Sequence, residues 1–246
     1  MSGWAAAGLV GLGALVLLTG CESNKAKSAR LAKQGEQAFT QKGVVVTRQN
    51  PDVEVVSTQA LQDGNGAAAV VALRNRSRRA LANLPVSIDV RDRGGKSVFK
   101  NDDPGLEPSL VTASLLAPGE QPLWVNDQVS PAGKVRSVDA KVGTSDAKPP
   151  ARRPRIDLST PRLEEDSVSG VLIESHAMNR SRILQRDLII HAFARQGGRI
   201  VAAGRAQIER LRPARRARFE VFFIRRPERR TDHVVSSTND LQVRLS

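Results

Sequence analysis

The chain has 246 residues and a formal net charge of +13, with 38 Lys+Arg against 25 Asp+Glu, one Cys, three His and no Tyr. Its length suits one or two domains with a real core, and 40% hydrophobic with 26% charged residues is the composition of a globular protein. A single Cys excludes a disulfide framework and a Cys-based zinc site, and three scattered His leave little material for acid–base or metal chemistry.

Ala5 to Leu18 carries no polar side chain. This run is too short for a membrane-spanning helix, which needs roughly 20 apolar residues, and has the length of a secretory signal core. It ends in Leu17-Leu18-Thr19-Gly20-Cys21, which resembles the bacterial lipobox, although no Lys or Arg precedes the run. The resemblance implies cleavage between Gly20 and Cys21 and acylation of Cys21, palmitate on its sulfur included. More than one acyl chain gives stable anchoring where a single chain is marginal. The expected location is therefore the extracytoplasmic face of a cell membrane, with residues 1–20 as signal peptide.

Residues 21–43 read as the lipidated Cys and a tether. The tether has a weakly amphipathic helical pattern, a charge of +3 and a stop at Gly43. A solvated spacer explains it better than a membrane-binding helix does, although basic residues beside an anionic bilayer add attraction.

From Val44 the pattern changes to short apolar runs broken by Gly, Pro, Asn and Asp, which predicts an all-β sandwich or barrel. A repeat runs through it. Ala69–Ser77 (AVVALRNRS) answers Gly170–Ser181 (GVLIESHAMNRS), and LPVSIDV answers DLIIHAF, placing His191 against Ile88. Gly94-Gly95 answers Gly197-Gly198, and Leu116 with Trp124 answers Leu211 with Phe219. Gly pairs supply the positive φ of a tight hairpin, Asn75 and Asn179 end strands by tolerating the left-handed region, and Pro118 and Pro213 pre-set turns. Asn75 and Asn179 also match N-x-[ST] and are read as turns. The predicted modules are 44–145 and 154–246, joined by a Pro/Arg linker at 146–153.

Strand-Asn-x-Ser, an alternating strand, a Gly hairpin, then Leu-x-Pro-Gly and an aromatic strand together resemble the FxLYD-type module of bacterial lipoproteins. The aromatic stretch that names the family is degraded to Asp89-Val90-Arg91-Asp92 and Ala192-Phe193-Ala194-Arg195, and Ala214 stands where copy one has Gly119. The resemblance implies an all-β chain of two tandem immunoglobulin-like antiparallel sandwiches without catalytic residues.

Copy one carries about eight extra residues between its Gly hairpin and Leu116, including Asp102, Asp103 and Glu107. Three carboxylates suit a hard cation such as Ca²⁺, but their spacing lacks the alternation of a calcium loop, so an ordinary turn is expected and no metal or other cofactor. His176, His191 and His233 all fall in copy two, the first two at a sheet surface. No nucleophile elbow, zincin, P-loop or dinucleotide fingerprint is present, so no enzyme is expected.

Charge is the strongest remaining signal. Residues 152–246 hold 20 Arg and no Lys against 11 acids, whereas residues 44–151 are nearly balanced at +1. Arg210, Arg212, Arg215, Arg216, Arg218, Arg225, Arg226, Arg229 and Arg230 form the candidate anion-binding set, since guanidinium forks match phosphate and carboxylate. Nucleic acid is not expected, because export and the lack of stacking aromatics argue against it. The expected role is a structural protein or adaptor of the cell envelope, with an envelope protein as partner. The alternatives are binding of a phosphate polymer or anionic lipid through the Arg-rich module, and service as an accessory subunit of an envelope enzyme or transporter.

Overall fold

The computed structural model describes residues 43–166, 170–227, 232–237 and 241–244. The described chain is all-β. Its first half contains β1 (Val53–Gln62), β2 (Ala67–Asn75), β3 (Leu81–Arg91), β4 (Ser97–Lys100), β5 (Thr112–Leu116), β6 (Leu123–Val129) and β7 (Ser137–Val142). Antiparallel β1-β2-β6 forms one sheet, and β3, paired with β4, β5 and β7, organises the other. Leu73, Leu84, Val86, Ile88, Leu116 and Trp124 fill the space between them. Alternation makes this possible: Val86, Ile88 and Val90 point inward while Ser87 and Asp89 stand outside.

Residues 143–155 contain no strand. The second half then contains β8 (Ile156–Leu158), β9 (Arg162–Asp166), β10 (Gly170–Asn179), β11 (Gln185–Gln196), β12 (Arg199–Leu211), β13 (Arg216–Phe222), β14 (Asp232–Ser237) and β15 (Leu241–Arg244). β10 pairs with β13 on one side and with β8 and β9 on the other, while β12-β11-β14-β15 forms the facing sheet. Ile156, Ile173, Leu188, Ile190, Leu211 and Phe219 make its core.

The repeat has a polar signature at atomic level. The Asn75 side-chain amide donates to the carbonyls of Arg79 (2.8 Å) and Leu116 (2.9 Å), while its oxygen accepts the Ser77 N–H and hydroxyl. Asn179 does the same with Ile183 (2.8 Å), Leu211 (3.0 Å) and Ser181. Neither Asn has positive φ. They end their strands as buried plugs that satisfy turn carbonyls, a different reason from the left-handed tolerance expected. The left-handed residues lie elsewhere. Asn83 (φ 47°) and Asp187 (φ 49°) each fall at an unpaired step of the β3–β5 and β11–β12 ladders, across which the register is unchanged, so both copies carry a left-handed residue at the same place.

That shared left-handed position corrects one alignment. Leu84, Val86 and Ile88 enter the first core, and Leu188, Ile190 and Ala192 enter the second. Ala192 therefore corresponds to Ile88, and His191 to Ser87. A slip of one residue changes the face of a strand, and it takes His191 off the core side.

That face is covered. On β2, Ala67, Ala69, Val71 and Leu73 enter the first core, while Ala68, Val70 and Ala72 join a third apolar cluster. The cluster is completed by Leu61, Leu123 and Val125 from the first half and Phe193 and Ala203 from the second. The β1-β2-β6 sheet thus packs its outer face on β11 and β12, and three cores run through the molecule.

Candidate functional site

The seam between the halves holds the most perturbed titratable groups. Arg205 on β12 is only 5% exposed in its side chain, and its ion pairs run into the other half. Its N–H donates to Asp127 Oδ2 at 2.8 Å, Nε reaches Asp127 Oδ1 at 3.3 Å, Nη2 reaches Glu107 Oε2 at 2.9 Å, and Nη1 donates to the Ser109 hydroxyl. Burial by itself would raise the Glu107 carboxyl, but the hydrogen bonds from Arg205 and Ser109 and the Arg205 charge bring it below its ordinary value. Asp127 is more deeply enclosed; burial outweighs Arg205 and leaves its carboxyl above its ordinary value.

His191 lies beside this cluster. Its Nδ1 accepts the Val125 N–H of β6 at 3.3 Å, and its buried Nε2 meets no partner. An acceptor Nδ1 requires the neutral imidazole with the proton on Nε2. Burial, and secondarily the Arg205 charge, pushes the ring down to about 3. Two further bonds cross the seam: Gln59 Nε2 to the Ile200 carbonyl at 2.6 Å, and the Arg225 N–H to Asp63 Oδ2 at 2.7 Å.

On its other side the seam opens into a cleft of about 1200 Å³, lined from the first half by β1, β7 and Arg136 and from the second by the β11–β12 hairpin and Arg225. A smaller hollow of about 430 Å³ lies over Arg205, Glu107 and Asp127.

The residues expected to carry function are dispersed. Arg210, Arg212, Arg215 and Arg216 are exposed around the β12–β13 turn. Arg218 is spent on Glu174 (2.9 Å) and Glu220 (2.5 Å) and Arg226 on Glu165 (2.7 Å), while Arg225 faces the cleft. Arg229 and Arg230 lie outside the described residues, as do Gly20 and Cys21.

The acidic insertion does not gather at one point. Asp102 and Asp103 are exposed, whereas Glu107 turns to Arg205. Among the described residues no group of three His, Cys, Asp or Glu is placed to hold a metal ion. Asn101, from the same insertion, is fully buried. It accepts the Ile88 N–H at 2.7 Å and donates to the Val86 and Leu110 carbonyls at 2.9 and 3.0 Å. A side chain thus bridges the edge of β3 where the ladder passes from β4 to β5.

His176 is half-buried on β10 opposite Arg218, and His233 lies on β14 opposite Ala194. The seam set Glu107–Asp127–Arg205–His191 was not legible as a set. Its one sequence-level trace is that AAAVVAL and, His191 apart, LIIHAFA are apolar without alternation, the mark of strands covered on both faces.

No family model matches the chain, and no curated protein does. Among solved structures, the exo-chitosanase CsxA of Amycolatopsis orientalis is similar at 12% identity and a TM-score of 0.28, covering 76% of this chain. The same enzyme in a complex with PNP-beta-D-glucosamine is similar at 12% identity and a TM-score of 0.27. This chain spans about a quarter (26%) of that enzyme's length. Likeness this slight carries nothing about activity, and the functional reading rests on this chain's own residues.

Proposed function

We propose that the chain is an exported, lipid-anchored, non-catalytic protein of the cell envelope that serves as a rigid adaptor. The observation that carries the reading is the seam. Two sandwiches joined through a third apolar core and a buried Arg205 ion-pair cluster hold one surface in a fixed shape. A preorganised surface loses little freedom on meeting a partner. The Cys21 anchor and the polar tether supply the attachment. The resemblance of the two repeats to FxLYD-type modules of lipoproteins supports this reading.

Anchoring is tested by expressing the chain in a bacterial host fed an alkyne palmitate analogue. The intact chain takes up label and partitions into detergent, and Cys21→Ser does neither; an unlabelled intact chain overturns the anchor. The adaptor role is tested by cross-linking membranes and isolating the chain. A recurrent envelope protein cross-linked to one face supports it.

A second reading is favoured by the β12–β13 turn, where Arg210, Arg212, Arg215 and Arg216 are exposed and, among the described residues, none is ion-paired. This end of the molecule is suited to an anionic envelope polymer, held electrostatically and released by salt. Polymer in place of protein in the cross-linked material supports this reading over the adaptor.

A further inference from the structure

The cleft of about 1200 Å³ between the modules lies away from the Arg-rich β12–β13 turn. Four arginines line the inter-module cleft: Arg136 just before β7, Arg195 and Arg199 on either side of the β11–β12 hairpin, and Arg225 beyond β13. Among the described residues none that lines it is acidic. Elsewhere on the surface, the β12–β13 turn apart, Arg74, Arg79, Arg91, Arg180, Arg218 and Arg226 rest against carboxylates. Among the described residues Arg136, Arg199 and Arg225 form no ion pair, and all three are exposed. Positive charge left unneutralised inside a concavity is self-repulsive, and low-dielectric walls focus its field onto whatever anion enters.

The cleft is also built rather than incidental. Gln59 fastens its two sides by donating to the Ile200 carbonyl, and the Thr58 hydroxyl ties β1 to the Val138 carbonyl at 2.6 Å. Arg195 is held in place, with Nη1 donating to the Gly198 carbonyl at 3.1 Å and its guanidinium 5.3 Å from the centre of the Phe193 ring. The cations come from three separate stretches of chain. A planar carboxylate accommodates one guanidinium fork well, whereas tetrahedral phosphate groups accept donors from several directions at once.

We propose that the inter-module cleft binds a multiply phosphorylated ligand, gripped by Arg136, Arg195, Arg199 and Arg225. The volume admits a chain of several phosphate groups. This site is separate from the β12–β13 turn and does not depend on the adaptor role.

The test uses the full-length chain in non-ionic detergent, titrated calorimetrically with tripolyphosphate at low salt. Saturable binding is expected at one site per chain, weakening steeply as salt is added. Arg136→Gln, Arg199→Gln and Arg225→Gln, all at exposed positions, should each weaken it about tenfold, the cost of losing one charge-assisted contact. The combined Arg210, Arg212, Arg215 and Arg216→Gln variant serves as the control and should bind as the parent does. Long-chain polyphosphate separates the two sources of phosphate. Binding that requires the long chain and falls with the turn variant overturns the cleft, as does absence of saturable binding. Citrate binding as tightly as tripolyphosphate overturns the phosphate assignment.

Discussion

Ala214 shows how much a single φ angle carries. It occupies the turn position that Gly119 fills in the first copy, at φ 54° against 71°, and its N–H donates to the Asn179 carbonyl as that of Gly119 does to Asn75. The left-handed region costs an L-residue about 1–2 kcal/mol, partly offset by the entropy that Gly loses on folding. Ala214→Gly should therefore stabilise the protein by roughly 0.5–1 kcal/mol, and Gly119→Ala should destabilise it by a similar amount. Denaturant unfolding of both variants checks this; a less stable Ala214→Gly would show that the turn is not strained. Asn75 and Asn179 make a related point. Their spacing marked them as turn residues, but a turn is also what an Asn makes when its side chain bonds buried carbonyls. The sequence does not distinguish the two mechanisms.

Among the elements, β3 and its neighbours show why the insertion in the first copy is structural. In the second half one uninterrupted strand, β12, pairs with β11 along its whole length. In the first half the corresponding edge is divided between β4 and β5, and buried Asn101 supplies the acceptor and the donors for the step between them. Removing that side chain takes the Asn101 bond from the Ile88 N–H and the Val86 carbonyl, while the Leu110 carbonyl keeps the Asn126 amide. Asn101→Ala should cost about 2–4 kcal/mol. Hydrogen exchange should show amides around Ile88 losing protection first; a loss below 1 kcal/mol would sink this account. Gly204 belongs to the same scale. A Cβ there would meet the Phe222 carbonyl oxygen at 2.1 Å, so only glycine lets β12 pass so close to β13.

For the whole molecule, the decisive feature is a seam that requires a neutral imidazole. His191 titrates near 6.5 when exposed and at about 3 in the folded chain, so docking favours the unprotonated ring. Its contribution is fully present above pH 6.5 and is lost as pH falls from 6.5 towards 3, at up to about 1.4 kcal/mol per unit. Glu107, lowered in the fold, also loses its contribution on acidification. Asp127, raised, works in the opposite direction and offsets part of the loss. The melting temperature should therefore fall clearly between pH 7 and 4.5, and His191→Leu should flatten that fall. Equal pH dependence in both proteins would rule out His191 as the source. Breaking the Arg205 cluster one partner at a time should be more harmful than replacing it with apolar groups, because a lone buried charge is the costly state.

How much of this was legible depends on the range of the interaction. Strands, hairpins and the two-fold repeat follow from neighbours two to ten residues apart, through alternation, Gly pairs and Pro-led turns, so the all-β architecture could be read directly. The excess of Arg in the second half was equally plain. Its distribution was not, because ion pairing depends on which carboxylates the fold brings near: Arg218 and Arg226 are neutralised by Glu174 and Glu165 of other strands, while Arg136 and Arg199, 63 positions apart, line one cleft. His191 required the strand register at Asp187 before its face was known, and Glu107 met Arg205 across 98 positions. Local chemistry along the chain determined which strands form. The packing of one sheet's outer face on another decided where charge, cavity and buried histidine lie, because that packing is a property of surfaces that exist only after the strands have assembled.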